Sequence, residues 1–455
     1  MKEKEEKRLR PKFHVTGGEG WINDPNGLVV FKGRYHAFYQ YYPHDVQWGP
    51  MHWGHVVSDD LVHWERLPIA LYPGDEGDKN GCFSGTAIVW KDRVWLLYTG
   101  FTVNGGGEEI RQVQCLASSA DGVNFEKHGV VIGEERLPDA YCPWDFRDPK
   151  VWRKDGCFWC VIAARAKGGK GRILLYRSDD LFSWEFVNDL FGKDSLGLMI
   201  ECPDYIDEKG LLLCCEQFQP SEGKIHLNVH TSRWYTGTLN YKTGRFEVKK
   251  RGIIDYGFDF YAPQTFAGDG AMMAWLQMWD RNIPSGKYGF AGMLTIARKL
   301  ELVNDELYQT PLIQGETVKE EKVDNRLLDA VKIGVLRIHA KNLQSLKLHL
   351  RQKGEHYVSL MLEDGEWVFD RSRVGKPIVG AEKDEDSLNG IRRMPFGGKE
   401  NTVLTIVMDE FSVEIFEDGK ALSSTIYPEE DADELCLTVD AEECSYRRQR
   451  IETEK

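Results

Sequence analysis

Three carboxylates sit in short polar motifs, each followed within two residues by proline: Asp24 in WINDPNGL (21–28), Asp148 in FRDPKVW (146–152) and Glu201 in ECPDY (201–205). Taken singly, each has an ordinary explanation. An Asp in Asn-Asp-Pro caps its own turn, an Arg-Asp pair is a salt bridge, and a Glu before Cys-Pro-Asp lies on the surface. Brought together, they have the makings of glycoside hydrolysis. That reaction needs one ionised carboxylate beside the anomeric carbon and one protonated carboxyl beside the leaving oxygen. A third carboxylate nearby helps to stabilise the oxocarbenium-like transition state. No clustered His or Cys spacing points to a catalytic metal, and the chemistry calls for no cofactor.

Only a fold that brings distant segments to one place could unite the three. Two repeat series suggest one. SDDLVHWE (58–65), SADGVNFE (119–126) and SDDLFSWE (178–185) recur about every sixty residues, with a weaker copy at YKTGRFEV (241–248). Each reads as a hairpin: a polar turn, then an aromatic entering a strand. A second series, around Asp24, Ser84, Asp148, Glu201 and Pro263, has a similar spacing. Between the motifs lie strand-like runs such as RVWLLYTG and GRILLYRS. A fixed-period all-β repeat means a propeller or a solenoid. Five copies predict a five-bladed β-propeller, whose equivalent positions converge on one central funnel.

From about residue 319 the texture changes. A charged stretch, GETVKEEKVDNRLLDA, reads as a linker with a short helix, and alternating segments such as SLKLHLRQ and FSVEIFEDGK follow it. These predict an antiparallel β-sandwich. The expected organisation is a propeller over 1–318, a linker over 319–330 and a sandwich over 331–455.

Composition bounds the function classes. The chain has 455 residues, of which 42% are hydrophobic and 29% charged, so it is globular rather than disordered. A net charge of −14 argues against nucleic acid or an anionic membrane as partner. No run approaches a membrane span. The N-terminal MKEKEEKRLRPKFHVT has no apolar signal core, so the expected location is cytoplasmic, with free thiols. Cys157 and Cys160 form a C-x-x-C inside an apolar strand pattern, which reads as structural.

The motifs together resemble glycoside hydrolase family 32, the invertases, sucrose-6-phosphate hydrolases and fructan hydrolases. The strings that carry the resemblance are WINDPNGL, YHAFYQYYP with WGPMHWGH (35–55), DLVHWERLPIAL, GCFSGTA, FRDPKVW, ECPDY, DYGFDFYAPQTF and the C-terminal VEIFEDGKALSSTIYP. The resemblance implies a five-bladed propeller with an appended sandwich. It implies Asp24 as nucleophile, Glu201 as acid/base and Asp148 as transition-state stabiliser. Its fructose-pocket residues fall on Asn23, Gln40, Trp48, Phe83, Ser84 and Arg147. Trp48 and Phe83 would be apolar walls; Asn23, Gln40 and Ser84 would bind hydroxyls. Ile200, Tyr288, Ala297 and Lys299 depart from the family pattern and bear on the leaving-group side.

The resulting expectation is a β-fructofuranosidase acting on a small sugar, sucrose or sucrose 6-phosphate. The alternatives are an exo-hydrolase of short fructo-oligosaccharides, a fructosyltransferase, and a non-catalytic sugar-binding propeller. A phosphate group would need cations at the funnel rim, for which Lys79, His44 and Arg281 are candidates. For the sandwich the sequence leaves three roles open: bracing the propeller, forming a homodimer, or shaping the rim of the site.

Overall fold

The computed structural model describes residues 9–107, 109–192, 196–225, 227–322, 327–328 and 332–452. Five antiparallel sheets come first, each with consecutive strands in order from the centre outward. Blade 1 is Gly20–Phe31, Arg34–Tyr42, His52–Ser58 and Glu65–Leu71. Blade 2 is Gly81–Trp90, Arg93–Asn104, Glu109–Ser119 and Glu126–Ile132. Blade 3 is Tyr141–Lys154, Cys157–Ala166, Gly171–Ser178 and Trp184–Asp189. Blade 4 is Met199–Ile206, Leu211–Gln217, Thr231–Asn240 and Arg245–Ile253. Blade 5 is Tyr261–Thr265, Met272–Trp275, Arg298–Val303 and Glu306–Pro311. The inner strands of successive blades are neighbours, and the fifth returns to the first. The architecture is the five-bladed propeller followed by a sandwich that the repeats predict.

Each pair of neighbouring blades shares an apolar core. Trp95, Leu97 and Leu116 of blade 2, for example, pack with Phe146, Ile162 and Tyr176 of blade 3. The ring closes through backbone bonds between blades 1 and 5: Ala267 N–H to Leu28 O at 2.9 Å and Val30 N–H to Ala267 O at 3.2 Å. A short strand, Phe290–Ala291, adds in parallel to Gly20 and Trp21.

The sixty-residue turn repeat joins the third and fourth strands of the blades. Ser58 accepts the amides of Asp60 and Leu61, and Asp60 accepts those of Val62 and His63. Ser178 and Asp180 do the same for residues 180–183, as do Ser119 and Asp121 for residues 122–124. These polar residues satisfy backbone donors that the turn would otherwise strand. In YKTGRFEV the work falls to Asn240, which accepts from Lys242 and Thr243.

Two six-stranded sheets form the sandwich. The strand Glu316–Lys322 pairs with Glu443–Arg450, so part of the stretch expected to link the domains is an edge strand of the second. Residues 319–322 are therefore strand rather than helix, because their backbone finds a ladder partner at the far end of the chain. Residues 323–326 and 329–331 lie outside the described residues. The helix Glu385–Leu388 is capped by Asp384, which accepts from Ser387 N–H at 2.8 Å. Among the described residues no helix is long and apolar enough to cross a membrane.

The two halves meet in a buried polar seam. Tyr256 and Asp259 N–H bond to Ala421 O and Ser423 O. Gly257 lies so close to Ser423 that a Cβ would fall 1.9 Å from its carbonyl oxygen, which excludes any other residue there. Arg298 pairs with Asp255 at 2.9 Å and Glu414 at 2.7 Å, all three fully buried. His14 lies between Asp409 (2.8 Å) and Glu414 (2.9 Å). Burial opposes its charge, but the two carboxylates outweigh burial and raise its pKa to about 9. The folded pKa exceeds the unfolded 6.5, so this contribution is complete below 6.5 and is lost as pH rises through about 9. A His14→Gln variant is therefore expected to lose its melting-temperature deficit between pH 6.5 and 9.5. Parallel melting curves for the two proteins across that range would contradict the pairing.

Candidate active site

The positioning device is a bulge. Proline cannot donate a ladder hydrogen bond, so a central strand that contains one must break its pairing there. The inner strands carry Pro25, Pro149, Pro203 and Pro263, with Gly85 in the same place in blade 2. Each slips register at that point: between Ile22 and Pro25, Phe83 and Gly85, Arg147 and Lys150, Glu201 and Asp204, and Tyr261 and Gln264. A bulge frees two adjacent side chains from simple alternation. Two tiers of equivalent positions result: Asn23, Phe83, Arg147, Glu201 and Tyr261, and then Asp24, Ser84, Asp148, Cys202 and Ala262. The sequence reading grouped Glu201 with the two aspartates. In the fold it stands one position earlier, and the equivalent of Asp24 and Asp148 in blade 4 is Cys202. Asp148, Cys202 and Ala262 take left-handed backbone angles, with φ of 62°, 50° and 50°. For residues with a side chain this costs on the order of 1–3 kcal/mol each, a strain that the surrounding ring must sustain.

The three carboxylates meet across blades 1, 3 and 4. Asp24 accepts from Ser84 Oγ at 2.5 Å and from Asn23 Nδ2 at 3.0 Å. Asp148 accepts from Cys202 N–H at 2.9 Å, and its own N–H donates to Thr99 Oγ1 at 2.9 Å. The Cys202 thiol lies 3.5 Å from Asp24 Oδ2 and 3.6 Å from Asp148 Oδ2, so it ties the two aspartates together. Arg147 donates Nε and Nη2 to Glu201 Oε1 at 3.2 and 2.9 Å. Gln217 Nε2 and Tyr261 OH donate to Glu201 Oε2 at 2.6 and 2.5 Å. Behind Arg147 stands Asp145, itself paired with Arg165 at 2.6 Å.

The electrostatics follow from crowding and burial. Burial raises the pKa of Asp24, helped by the Glu201 charge and opposed by the Ser84, Asn23 and Cys202 bonds. Asp148 is pushed up to about 7, first by burial and then by Glu201 and Asp24, against the pull of Arg147. Asp24 and Asp148 thus each hold a proton more tightly than an ordinary carboxylate. Arg147 stays charged because Glu201, Asp148 and Asp145 outweigh its burial. The Cys202 thiol is kept protonated by its bond to Cys215, by burial and by the two aspartates, so it acts as a donor.

Of the expected pocket residues, Asn23, Ser84 and Arg147 touch the carboxylates directly. Asn23 and Ser84 were expected to bind sugar hydroxyls. Ser84 holds Asp24, and Asn23 spans Asp24 and the Trp21 indole N–H, at 2.8 Å on the Trp21 side. Gln40 is buried and donates to Cys82 O at 3.0 Å. Trp48 is exposed and meets the edge of Phe83, with ring centroids 6.0 Å apart, and Phe83 stacks on Phe101 at 4.3 Å. An aromatic wall thus runs from the rim to the residue beside Ser84.

Tyr261, Gln217 and Cys202 were missed. Aligning the motifs on their prolines would have found Tyr261 and Cys202; Gln217 comes from a second strand, where no signal marks it. Of the cationic candidates, Lys79 is exposed on a loop and His44 packs edge-on to Tyr42. Arg281 is not at the rim: it is buried against Asp259 and Glu382 in the domain seam. Ile200 and Ala297 are fully buried core residues, Lys299 pairs with Glu301 on the surface, and Tyr288 stacks on Phe411 of the sandwich. All ten cysteines are free, Cys157 and Cys160 among them.

Comparison with known proteins accords with this geometry. Residues 14–311 match the glycosyl hydrolases family 32 N-terminal domain, and residues 305–451 match the glycosyl hydrolases family 32 C-terminal domain. A sucrose-6-phosphate hydrolase of Escherichia coli is 38% identical over 448 residues, spanning 94% of this chain and 91% of that protein. The structure of a sucrose-6-phosphate hydrolase from Lactobacillus gasseri superposes with a TM-score of 0.89 at 25% identity, covering 98% of this chain and 94% of that one. A mutant beta-fructofuranosidase from Bombyx mori, solved in complex with sucrose, gives 0.83 at 33% identity, covering 99% and 96%. From its first propeller blade to its last sandwich strand, the chain belongs to glycosyl hydrolase family 32.

Proposed function

We propose that this chain is a retaining β-fructofuranosidase whose substrate is sucrose or sucrose 6-phosphate. The observation that carries the reading is the meeting of Asp24, Asp148 and Glu201, from three different blades, around the Arg147 guanidinium and the Cys202 thiol. The kinship with sucrose-6-phosphate hydrolases supports the choice of substrate.

In this reading Glu201 gives its proton to the oxygen that leaves with glucose. A lone pair of Asp24 attacks C2 of fructose, and the electrons of the breaking C2–O bond go to that oxygen. The covalent fructosyl ester then yields to water. Glu201, now ionised, takes the water's proton as its oxygen attacks C2 from the side the glucose left, and Asp24 departs as carboxylate. Two inversions leave the configuration retained. Asp148, held by Cys202 N–H, adds negative charge beside the cationic transition state. Ser84 and Asn23 orient Asp24 for attack, and Arg147, Gln217 and Tyr261 orient Glu201.

Comparing kcat/KM on sucrose, sucrose 6-phosphate, kestose and inulin tests the substrate. One of the first two is expected to exceed the oligosaccharides by at least about tenfold, the discrimination worth about 1.4 kcal/mol. A preference for kestose or inulin would replace the reading with an exo-hydrolase, and kestose formed from sucrose would make the protein a transferase.

A further inference from the structure

Arg392 lies in the sandwich strand Ile391–Pro395, yet its closest polar partner across the seam belongs to the propeller. Its Nη2 and Nε both donate to Asn228 Oδ1, at 2.8 and 3.2 Å. The guanidinium is almost fully buried, and the nearest carboxylate, Glu382, is 4.0 Å away. Ser387 Oγ and Ile391 O take its other nitrogen, and the Phe258 ring lies 3.8 Å from its central carbon. A buried cation with mainly neutral acceptors is a poor way to stabilise an interface, since an apolar residue of similar size would avoid the desolvation cost. Its value must come from what it holds in place.

What it holds is a segment that leads to the acid/base. The Asn228 side-chain amide donates to Gly257 O at 2.9 Å, and its backbone carbonyl accepts from Thr231 Oγ1 at 2.8 Å. Val229 O accepts from Gln219 N–H at 2.8 Å, which closes the base of the connection between the second and third strands of blade 4. The ring of the next residue, His230, meets the edges of Phe218 at 5.2 Å and Tyr261 at 6.2 Å. Tyr261 donates to Glu201, and Gln217, the residue before Phe218, does so too. Phe218 is 55% exposed and has a φ of 57°, so an apolar face is presented to solvent one residue along from the Gln217 donor to Glu201, at a cost in backbone strain. Glu201 is the group that serves the leaving sugar, so Phe218 lies on that sugar's side.

Building on the fructosidase reading, we infer that the sandwich domain completes the leaving-group side of the site: Arg392, acting through Asn228, fixes His230 and thereby sets Phe218 as the wall for the leaving hexose. Phe218 is then a specificity-determining residue; Arg392 and Asn228 are positioning residues. The apolar face of a hexose fits against Phe218, whereas a methyl group is too small to reach it.

The test compares sucrose with methyl β-D-fructofuranoside, which carries the same fructosyl group and a minimal leaving group. Asn228→Ala, made on the propeller side, and Arg392→Met are each expected to raise KM for sucrose by about five-fold, while kcat/KM for the methyl fructoside changes less than two-fold. The double variant is expected to be no worse than either single one, because both remove one connection. Phe218→Ala is expected to raise KM for sucrose likewise. Circular dichroism and thermal unfolding would establish that the variants are folded. Folded Asn228→Ala with unchanged KM for sucrose, or with equal losses on both substrates, would overturn the inference. Wild-type protein that cleaves neither fructoside, nor sucrose 6-phosphate, would instead overturn the fructosidase reading on which it rests.

Discussion

Asp24→Ala is expected to lower kcat for sucrose by roughly five orders of magnitude, the scale seen when a covalent nucleophile is removed. No neighbour can substitute. Ser84 and Asn23 are donors to Asp24, Cys202 is held as a protonated thiol, and Asp148 is turned to the Cys202 amide. The fold should survive the change and gain from it. The Asp24 carboxylate is buried beside Glu201, and its raised pKa means that its charge is costly near neutral pH. A variant at least as heat-stable as the parent, yet inactive, is the pattern of a site that gives up stability for function. Glucose release from sucrose and differential scanning calorimetry read the two parts. Turnover within tenfold of the parent would remove Asp24 from the mechanism.

Glu201→Gln is expected to cost about 10²–10⁴-fold in kcat on sucrose, the usual worth of a positioned general acid. Glutamine keeps an acceptor oxygen and similar volume, so Arg147 and Tyr261 retain a partner and the loss reports chemistry rather than collapse. The discriminating substrate is an aryl fructoside. A phenolate leaves without a proton, so formation of the fructosyl-enzyme should survive, and a burst of phenol should precede slow steady-state hydrolysis. Equal loss on sucrose and on the burst with the aryl fructoside would point to a positioning role for Glu201 instead.

The parts of the fold legible in the sequence were those with local causes. The Ser-Asp turns recur because each must satisfy the same three or four backbone donors, so the same residues return at each turn. The Asn-Asp-Pro, Arg-Asp-Pro and Glu-Cys-Pro motifs stand out because a proline in an inner strand forces a bulge. Counting repeats then predicts five blades and places Asp24, Asp148 and Glu201 in one funnel. Where the reading of these motifs slipped, it slipped by one residue. Glu201 was aligned with the aspartates by charge, whereas the backbone aligns it with Arg147 and Tyr261.

Other features leave no local trace. The strand Glu316–Lys322 looked like a linker because its partner, Glu443–Arg450, lies more than a hundred residues away. Arg281 looked like a rim cation and proved to be committed to Asp259 and Glu382. Gln217 and Tyr261 carry no sign that both reach Glu201.

By itself, then, the sequence determined the turns, the blade count, the identity of the three acids and the family, since each is written in residues close together or in a repeat. Only the tertiary structure decided which atoms those acids share. It set Cys202 between two aspartates, loaded Glu201 with donors from three blades, and ran a polar connection from Arg392 in the sandwich to the rim of the site. Those relations depend on distances of a few ångströms between segments tens to hundreds of residues apart. Such distances are set by ring closure and domain packing, which no local pattern encodes.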